Sequence, residues 1–194
     1  MNTAPPFPVT PRRWAALILK RAGWTLELPT PPGPKLVLLM YPHTSNWDFV
    51  LGLLARFACG WPVRWIGKHS LFRPPFGALL RRLGGIAVDR AQPGSFVDDV
   101  IAHCRAAPHI VLVIAPEGTR SYVDGWKRGF HRIAHGADIP IGLGYIDYRQ
   151  RRIGIAGYVP PTDDIDADLA AIRAGYAPVS ARYPDKAGPI NLRG

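Results

Sequence analysis

Residues 35–41 have the sequence KLVLLMY and residues 110–115 have the sequence IVLVIA, and these two apolar runs decide the fold class. A strand that is buried on both faces of a sheet appears as an unbroken apolar run, not as an alternating one. Other short apolar runs alternate along the chain with segments of helical periodicity. This alternation predicts a single layered α/β domain with a mostly parallel or mixed central sheet flanked by helices.

The predicted domain occupies residues 35–194, and residues 1–34 precede it as a Pro-rich lead, a basic amphipathic helix and the connector PTPPGP. We expect the first ten residues to be disordered. The predicted strands are 35–41, 62–67, 86–89, 110–115, 139–147 and 152–158. The predicted helices are 11–24, 47–58, 76–83, 95–106, 129–136 and 163–174.

Composition excludes several classes of protein. The 194 residues are 47% hydrophobic and 20% charged, as in folded single domains and unlike disordered chains. Cys59 and Cys104 are too few for a disulfide framework or a zinc site. The longest segment without Asp, Glu, Lys or Arg is residues 36–47, whereas a membrane-spanning helix needs about 20 apolar residues. The N-terminus does not resemble a secretory signal, so we expect a cytoplasmic protein.

The charge balance is unusual, with 24 Lys and Arg against 14 Asp and Glu, a net charge of +10. Such a balance favours anionic partners: a membrane surface, nucleic acid or a phosphorylated substrate. Residues 11–24 combine four cations with large apolar side chains. This segment is either a helix docked on the core or an interfacial helix on anionic lipid. The residues concerned are Arg12, Arg13, Lys20 and Arg21, with Trp14, Leu17, Ile18 and Trp24.

The segment HTSNWD, residues 43–48, follows the first apolar run. Ser45 is suited to cap the next helix, and Asp48 three residues later can complete a capping box. His43 then lies in the turn before a helix N-terminus, where the helix dipole disfavours a positive imidazolium and leaves a neutral base near pH 7. Asp48 can orient that imidazole through its second ring nitrogen. A histidine–carboxylate pair without a neighbouring Ser or Cys nucleophile indicates deprotonation of a substrate hydroxyl.

The segment APEGTR, residues 115–120, follows the second apolar run. Ligands of α/β sheets bind at the carboxyl ends of the strands, which is where this segment is predicted to lie. Gly118 allows close approach of the backbone, and Thr119 with Arg120 can bind phosphate. A third segment, GGIAVDR at residues 84–90, ends a short predicted strand with Arg90.

Together these segments resemble the lysophosphatidic-acid acyltransferase family of the glycerophosphate acyltransferase superfamily. Its His-x4-Asp motif matches His43 and Asp48, and its EGTR block matches residues 117–120. A block of the form G-x-I-x-x-x-R matches residues 84–90, and an apolar block with a proline matches residues 139–141. The resemblance extends from about residue 35 to 147. The segment HTSNWD in particular resembles that of a compact bacterial branch of the family without transmembrane helices. Many members carry Asn before the histidine, where this chain has Pro42.

The resemblance implies that His43 deprotonates the acceptor hydroxyl, which attacks an acyl thioester, while Asp48 orients His43. It also implies that Glu117, Gly118, Thr119, Arg120 and Arg90 bind the acceptor phosphate, with Lys68 near a substrate head group. The acceptor is a lysophospholipid such as 1-acylglycerol-3-phosphate, and the donor is acyl-CoA or acyl-carrier protein. No metal or other cofactor is expected, because the thioester is already activated. The implied location is the inner face of the cell membrane, on an anionic lipid surface.

Two alternatives stay open at this point. The acceptor could be another lipid, such as an amino-acid lipid or a glycolipid. The chain could also be a non-catalytic basic module that binds anionic lipid or nucleic acid, although no nucleic-acid-binding motif is present and nucleic acid is not expected as a partner. His131 and His135 are spaced like metal ligands on a helix, but without further ligands nearby in sequence they are interpreted as structural.

Overall fold

The structure is a computed structural model that describes residues 5–88, 93–176 and 179–193. These residues form one sheet of seven strands in the order β1-β7-β6-β2-β5-β3-β4. The strands are β1 Thr25–Glu27, β2 Lys35–Met40, β3 Val63–Lys68, β4 Gly85–Val88, β5 Ile110–Ile114, β6 Ile141–Asp147 and β7 Arg152–Val159. The helices are α1 Arg13–Arg21, α2 Asn46–Cys59, α3 Gly77–Arg82, α4 Pro93–Ala106, α5 Gly129–Ala137 and α6 Ile165–Tyr176.

The sheet is mostly parallel. Strands β6, β2, β5, β3 and β4 run in one direction, whereas β7 pairs antiparallel with β6 and β1 pairs parallel with β7. The prediction of a layered α/β domain with a mixed sheet is confirmed. All six predicted strands and all six predicted helices overlap an observed element.

Helices cover both faces of the sheet. Val37 and Leu39 of β2 point into a core with α4, α5 and α6, while Leu36 and Leu38 point to the opposite face. On that opposite face α1 and α2 pack together, and Leu19 and Leu51 meet side chains of β6 and β7 there. Because β2 is buried on both faces, its sequence lacks the polar alternation of a half-exposed strand.

The N-terminal segment is attached to the same sheet. The three-residue strand β1 was not predicted, because it is short, half-exposed and ends in Glu27. It pairs with β7 at the sheet edge, and Ala15 and Leu19 of α1 are buried. The expectation of disorder in the first ten residues is wrong for those the structure describes, since Phe7 is buried against Trp61 with ring centroids 5.3 Å apart.

Candidate active site

Because these strands are parallel, the predicted site segments come together at the carboxyl ends of the strands. The segment containing His43 follows β2, and residues 117–120 follow β5, the neighbouring strand. Lys68 is the last residue of β3, and Tyr148 comes directly after β6. All four positions therefore lie at the carboxyl ends of adjacent strands, the usual place for ligands in such sheets.

The turn before α2 is held by the predicted cap. Ser45 is the N-cap, and its hydroxyl accepts a hydrogen bond from the backbone N–H of Trp47 at 3.1 Å. The Asp48 Oδ2 accepts from the backbone N–H groups of Thr44 and Ser45, each at 2.9 Å. The Asp48 carboxylate is thus fixed in place, because two backbone N–H groups at the N-terminus of its own helix bind it.

His43 and Asp48 form the predicted pair. The His43 Nδ1 lies 3.1 Å from the Asp48 Oδ2, at hydrogen-bonding distance but not in full hydrogen-bond alignment. Catalytic hydrogen bonds are often loose without substrate and tighten when it binds. Burial alone would raise the pKa of Asp48, but the adjacent His43 imidazole and hydrogen bonds from Tyr148 and Ser45 bring it below its ordinary value. The carboxylate is therefore ionised near neutral pH and can orient the imidazole, leaving Nε2 as the base.

Tyr148 is a member of the site that sequence reasoning missed. Its hydroxyl donates to the Asp48 Oδ1 at 2.7 Å, so the second carboxylate oxygen is also occupied. The two residues are 100 positions apart, and only the pairing of β6 with β2 brings them together. Trp24 packs edge-on against Tyr148, with ring centroids 5.3 Å apart. Trp24 lies beyond the end of α1, which is at Arg21. Because its ring packs against Tyr148, it does not belong to the interfacial face that was predicted for residues 11–24.

Glu117 is placed behind His43. The side chain is 1% exposed, and its Oε2 accepts the backbone N–H of His43 at 2.8 Å. Burial raises the pKa of Glu117 to about 7, the nearby Asp48 charge acts in the same direction, and backbone N–H groups of His43 and Gly188 oppose it. The carboxylate thus contacts the backbone of the His43 turn, not the open surface of the cleft.

The rest of the EGTR block forms a tight turn at the end of β5. Gly118 has φ of +70°, a left-handed conformation that favours glycine, and its N–H donates to the carbonyl of Ala115 at 3.0 Å. The Thr119 hydroxyl accepts from the backbone N–H of Ser121 at 3.3 Å. Arg120 is exposed and lines the cavity that also contains His43.

A cavity of about 200 Å³ runs between α2 and the sheet. His43, Asp48 and Arg120 lie at its polar end, and Arg56 of α2 is the one charged residue of the remaining wall, which is otherwise apolar. Along α2 the wall extends from Asp48 to Cys59, which at 1.5 Å per residue is a length of about 16 Å. The apolar wall includes Leu38, Phe49, Leu53, Trp61, Trp65, Leu71, Val113 and Ile155.

Lys68 and Arg90 are the predicted substrate contacts outside the EGTR block. Lys68 is exposed at the end of β3 but does not line the cavity. Arg90 lies outside the described residues.

Within the part of the chain that the structure describes, no cluster of three or more His, Cys, Asp or Glu side chains could hold a metal ion. No helix among these residues is long and apolar enough to span a membrane.

The fold and the site define an α/β enzyme whose histidine–aspartate pair opens onto an apolar cavity. The chain belongs to the acyltransferase family, whose model matches residues 29–142, more than half of the sequence. The prediction of an acyltransferase is thereby confirmed, and the family implies a lipid acceptor and an acyl donor. No curated protein sequence gives a significant match.

Among solved structures, the chain is similar to the 1-acyl-sn-glycerophosphate (LPA) acyltransferase PlsC from Thermotoga maritima. The TM-score is 0.60 at 18% sequence identity, and the match covers 88% of this chain and 78% of that one. At this identity the likeness shows a shared fold.

Proposed function

We propose that this protein transfers a fatty acyl group from an acyl thioester to the hydroxyl of a lysophospholipid such as 1-acylglycerol-3-phosphate. The observation that carries the proposal is that His43, backed by Asp48, lines the polar end of a long apolar cavity. Support also comes from the family match and from the fold shared with a 1-acyl-sn-glycerophosphate acyltransferase.

In this proposal His43 Nε2 takes the proton of the acceptor hydroxyl as its oxygen attacks the thioester carbonyl. Collapse of the tetrahedral intermediate forms the ester and breaks the carbon–sulfur bond. The imidazolium then returns the proton to the departing thiolate, so that the enzyme ends in its initial state. Asp48 keeps Nδ1 facing itself and stabilises the transient positive charge. No metal or other cofactor is needed in this scheme, because the thioester is already activated.

The shape of the cavity favours one extended alkyl chain. Its volume of about 200 Å³ is below the roughly 300–1,000 Å³ of typical small-molecule pockets, although it extends for about 16 Å along α2. A long, narrow and apolar space excludes bulky head groups and accommodates a chain of methylene groups. We assign the acyl chain to this space and the acceptor head group to the exposed basic side chains of Arg120 and Lys68.

Activity can be tested by mass spectrometry of the products formed with a panel of lyso-acceptors and with acyl-CoA or acyl-carrier protein as donor. The proposal requires a diacyl product from a phosphorylated lyso-acceptor. Esterification of only an amino-acid lipid or a glycolipid would identify a different acceptor. Absence of product with every pair would favour a non-catalytic binding module.

The role of Arg120 can be tested in the same assay. Arg120→Gln should raise KM for a phosphorylated acceptor by about tenfold, because a charge-assisted hydrogen bond to phosphate is lost. The KM for the donor should change little. Arg105→Gln, an exposed arginine on α4, is the matched control. Equal effects of Arg120→Gln on phosphorylated and unphosphorylated acceptors would contradict the phosphate assignment.

The proposed location is the inner face of the cell membrane, with α1 in contact with anionic lipid. Trp14, Leu17 and Ile18 on this helix are 50%, 47% and 48% exposed, and four cations accompany them. Because Ala15 and Leu19 are buried, deletion of the segment would open the core. Trp14→Ser with Leu17→Ser is the cleaner test, and it should weaken salt-sensitive binding to anionic vesicles. Unchanged binding by this variant would remove α1 from the docking surface.

A further inference from the structure

Residues 69–82 expose three large apolar side chains next to the candidate site. Leu71, Phe76 and Leu79 are 52%, 66% and 52% exposed, and Phe76 is the most exposed of the large apolar side chains that the structure describes. The segment is a short 3-10 helix at His69–Phe72 followed by α3 at Gly77–Arg82. Its inner side is anchored by Phe72, which is 4% exposed. The outer side therefore has no packing partner in the described residues.

This segment lies on the same face of the sheet as α1 and α2. The Phe72 ring stacks on Trp65 of β3 at 5.5 Å, and Trp65 in turn meets Phe49 of α2 at 4.9 Å. Leu19 of α1 packs toward Ile146 of β6, so that α1 and residues 69–82 lie on opposite sides of α2.

The exposed apolar side chains are concentrated on that face. Eight of the eleven large apolar side chains that are exposed among the described residues belong to α1, α2 or residues 69–82. They are Trp14, Leu17, Ile18, Trp47, Val50, Leu71, Phe76 and Leu79. Such a concentration of exposed apolar side chains on one face indicates an interaction site.

The charge of the same face indicates what it binds. Residues 49–88 contain no Asp or Glu, and residues 1–88 have eleven Lys and Arg against two acidic residues. Residues 89–194, which include the helices of the other face, have thirteen against twelve. Arg73, Arg81 and Arg82 are exposed in the same segment as the apolar side chains of residues 69–82. Exposed apolar side chains accompanied by cations, in a stretch of sequence without acidic residues, complement anionic lipid.

The segment also reaches the cavity. Leu71 lines the cavity wall and is at the same time half-exposed, so the wall extends to the surface at this point. A bilayer in contact with residues 69–82 would therefore adjoin the space assigned to the acyl chain.

We propose that residues 69–82 form a second docking element for an anionic lipid bilayer, independent of α1. The two elements flank α2 and together orient the cavity wall at Leu71 toward the lipid phase. The benefit to catalysis depends on the proposed acyltransferase function, whereas the binding itself does not.

The test measures partitioning of the purified full chain onto vesicles of phosphatidylcholine with phosphatidylglycerol, without acyl donor. Phe76→Ser with Leu79→Ser should lower the partition coefficient by at least about tenfold, because two apolar side chains no longer enter the interface. Arg73→Gln with Arg82→Gln should lower it several-fold and reduce its salt dependence. The matched control is Arg105→Gln with Arg132→Gln, which removes two exposed charges from α4 and α5 and should change binding less than twofold.

Unfolding temperatures equal to that of the unchanged chain confirm that the variants fold. Wild-type partitioning by the Phe76→Ser and Leu79→Ser variant would overturn the proposal and leave α1 as the docking element. Failure of the unchanged protein to bind anionic vesicles would also overturn the proposal. Because no turnover is measured, an error in the acyltransferase assignment would leave these results unaffected.

Discussion

Among the residues that the structure describes, two histidine–aspartate pairs are largely shielded from solvent, and they differ in where the fold places them. His43 Nδ1 lies 3.1 Å from Asp48, and His131 Nε2 lies 2.8 Å from Asp168. The side chains are 16% and 1% exposed in the first pair and 10% and 5% in the second. Neither distance nor burial distinguishes them.

The surroundings of the two pairs do distinguish them. His43 lies in a turn at the end of a strand and lines the apolar cavity, so its second nitrogen can reach a substrate. His131 lies within α5 and joins it to α6, where Asp168 is held further by Thr162. The same kind of pair therefore lines a cavity at the carboxyl ends of the strands in one place, where we propose that it acts as a base, and joins two helices on the opposite face of the sheet in the other.

The largest expected effect is a difference in turnover between variants of the two histidines. His43→Ala should lower kcat by at least about 100-fold, because a general base is lost. His131→Ala should leave kcat within a few-fold, since His131 has no contact with the cavity. Steady-state kinetics of both variants, with circular dichroism to confirm folding, give the comparison. Near-normal turnover by a folded His43→Ala variant would remove this residue from the mechanism.

The next effect concerns pH, because only the first pair has a buried carboxylate, Glu117, behind it. With its pKa raised from 4.5 to about 7, folded Glu117 keeps a proton between these values that the unfolded chain releases. Stability from this group is thus fully present below about pH 4.5 and is lost as pH rises through 7. Relative to Glu117→Gln, the free energy of unfolding should fall by about 3 kcal/mol across this window. The free energies of unfolding of the two proteins can be measured by urea titration at a series of pH values. If they change equally with pH, the raised pKa of Glu117 is contradicted.

A smaller effect tests the second pair as a structural connection. His131→Ala should lower the free energy of unfolding by about 2 kcal/mol, because the buried Asp168 loses a partner. His135→Ala is the control, since His135 pairs with Asp163 on the exposed surface at 3.0 Å. Chemical denaturation of both variants measures the difference. Equal stabilities would show that the buried pair contributes nothing beyond an exposed one.

The smallest effect concerns the tyrosine behind Asp48. Tyr148→Phe should lower kcat by about fivefold, equivalent to about 1 kcal/mol for one hydrogen bond. The acidic limb of the pH–rate profile should move to higher pH, because the hydrogen bond from Tyr148 that helps to lower the pKa of Asp48 is lost. Tyr145→Phe removes a comparable tyrosine–carboxylate hydrogen bond, to Glu27, away from the site and should leave the profile unchanged. If both variants have the same profile, Tyr148 acts only in packing.

Much of the site could be predicted because it is encoded over short distances. The capping box that joins Ser45 and Asp48 involves residues three positions apart, and such local geometry follows from the motif itself. The polar segments after β2 and β5 could be placed together because both strands are buried apolar runs of a parallel sheet. The edge strand β1 could not be predicted, since its pairing with β7 depends on residues far away in sequence.

The sequence by itself determined the α/β class, the N-terminal cap of α2 and the pair of His43 with Asp48. Only the tertiary structure decided that Tyr148 donates a hydrogen bond to Asp48, that the Glu117 carboxylate accepts the backbone N–H of His43, and that the partner of His131 is Asp168. The physical reason is the separation along the chain over which each kind of interaction acts. Hydrogen-bonded caps and apolar periodicity act within a few residues, whereas contacts between side chains 74 or 100 positions apart exist only after the strands have paired.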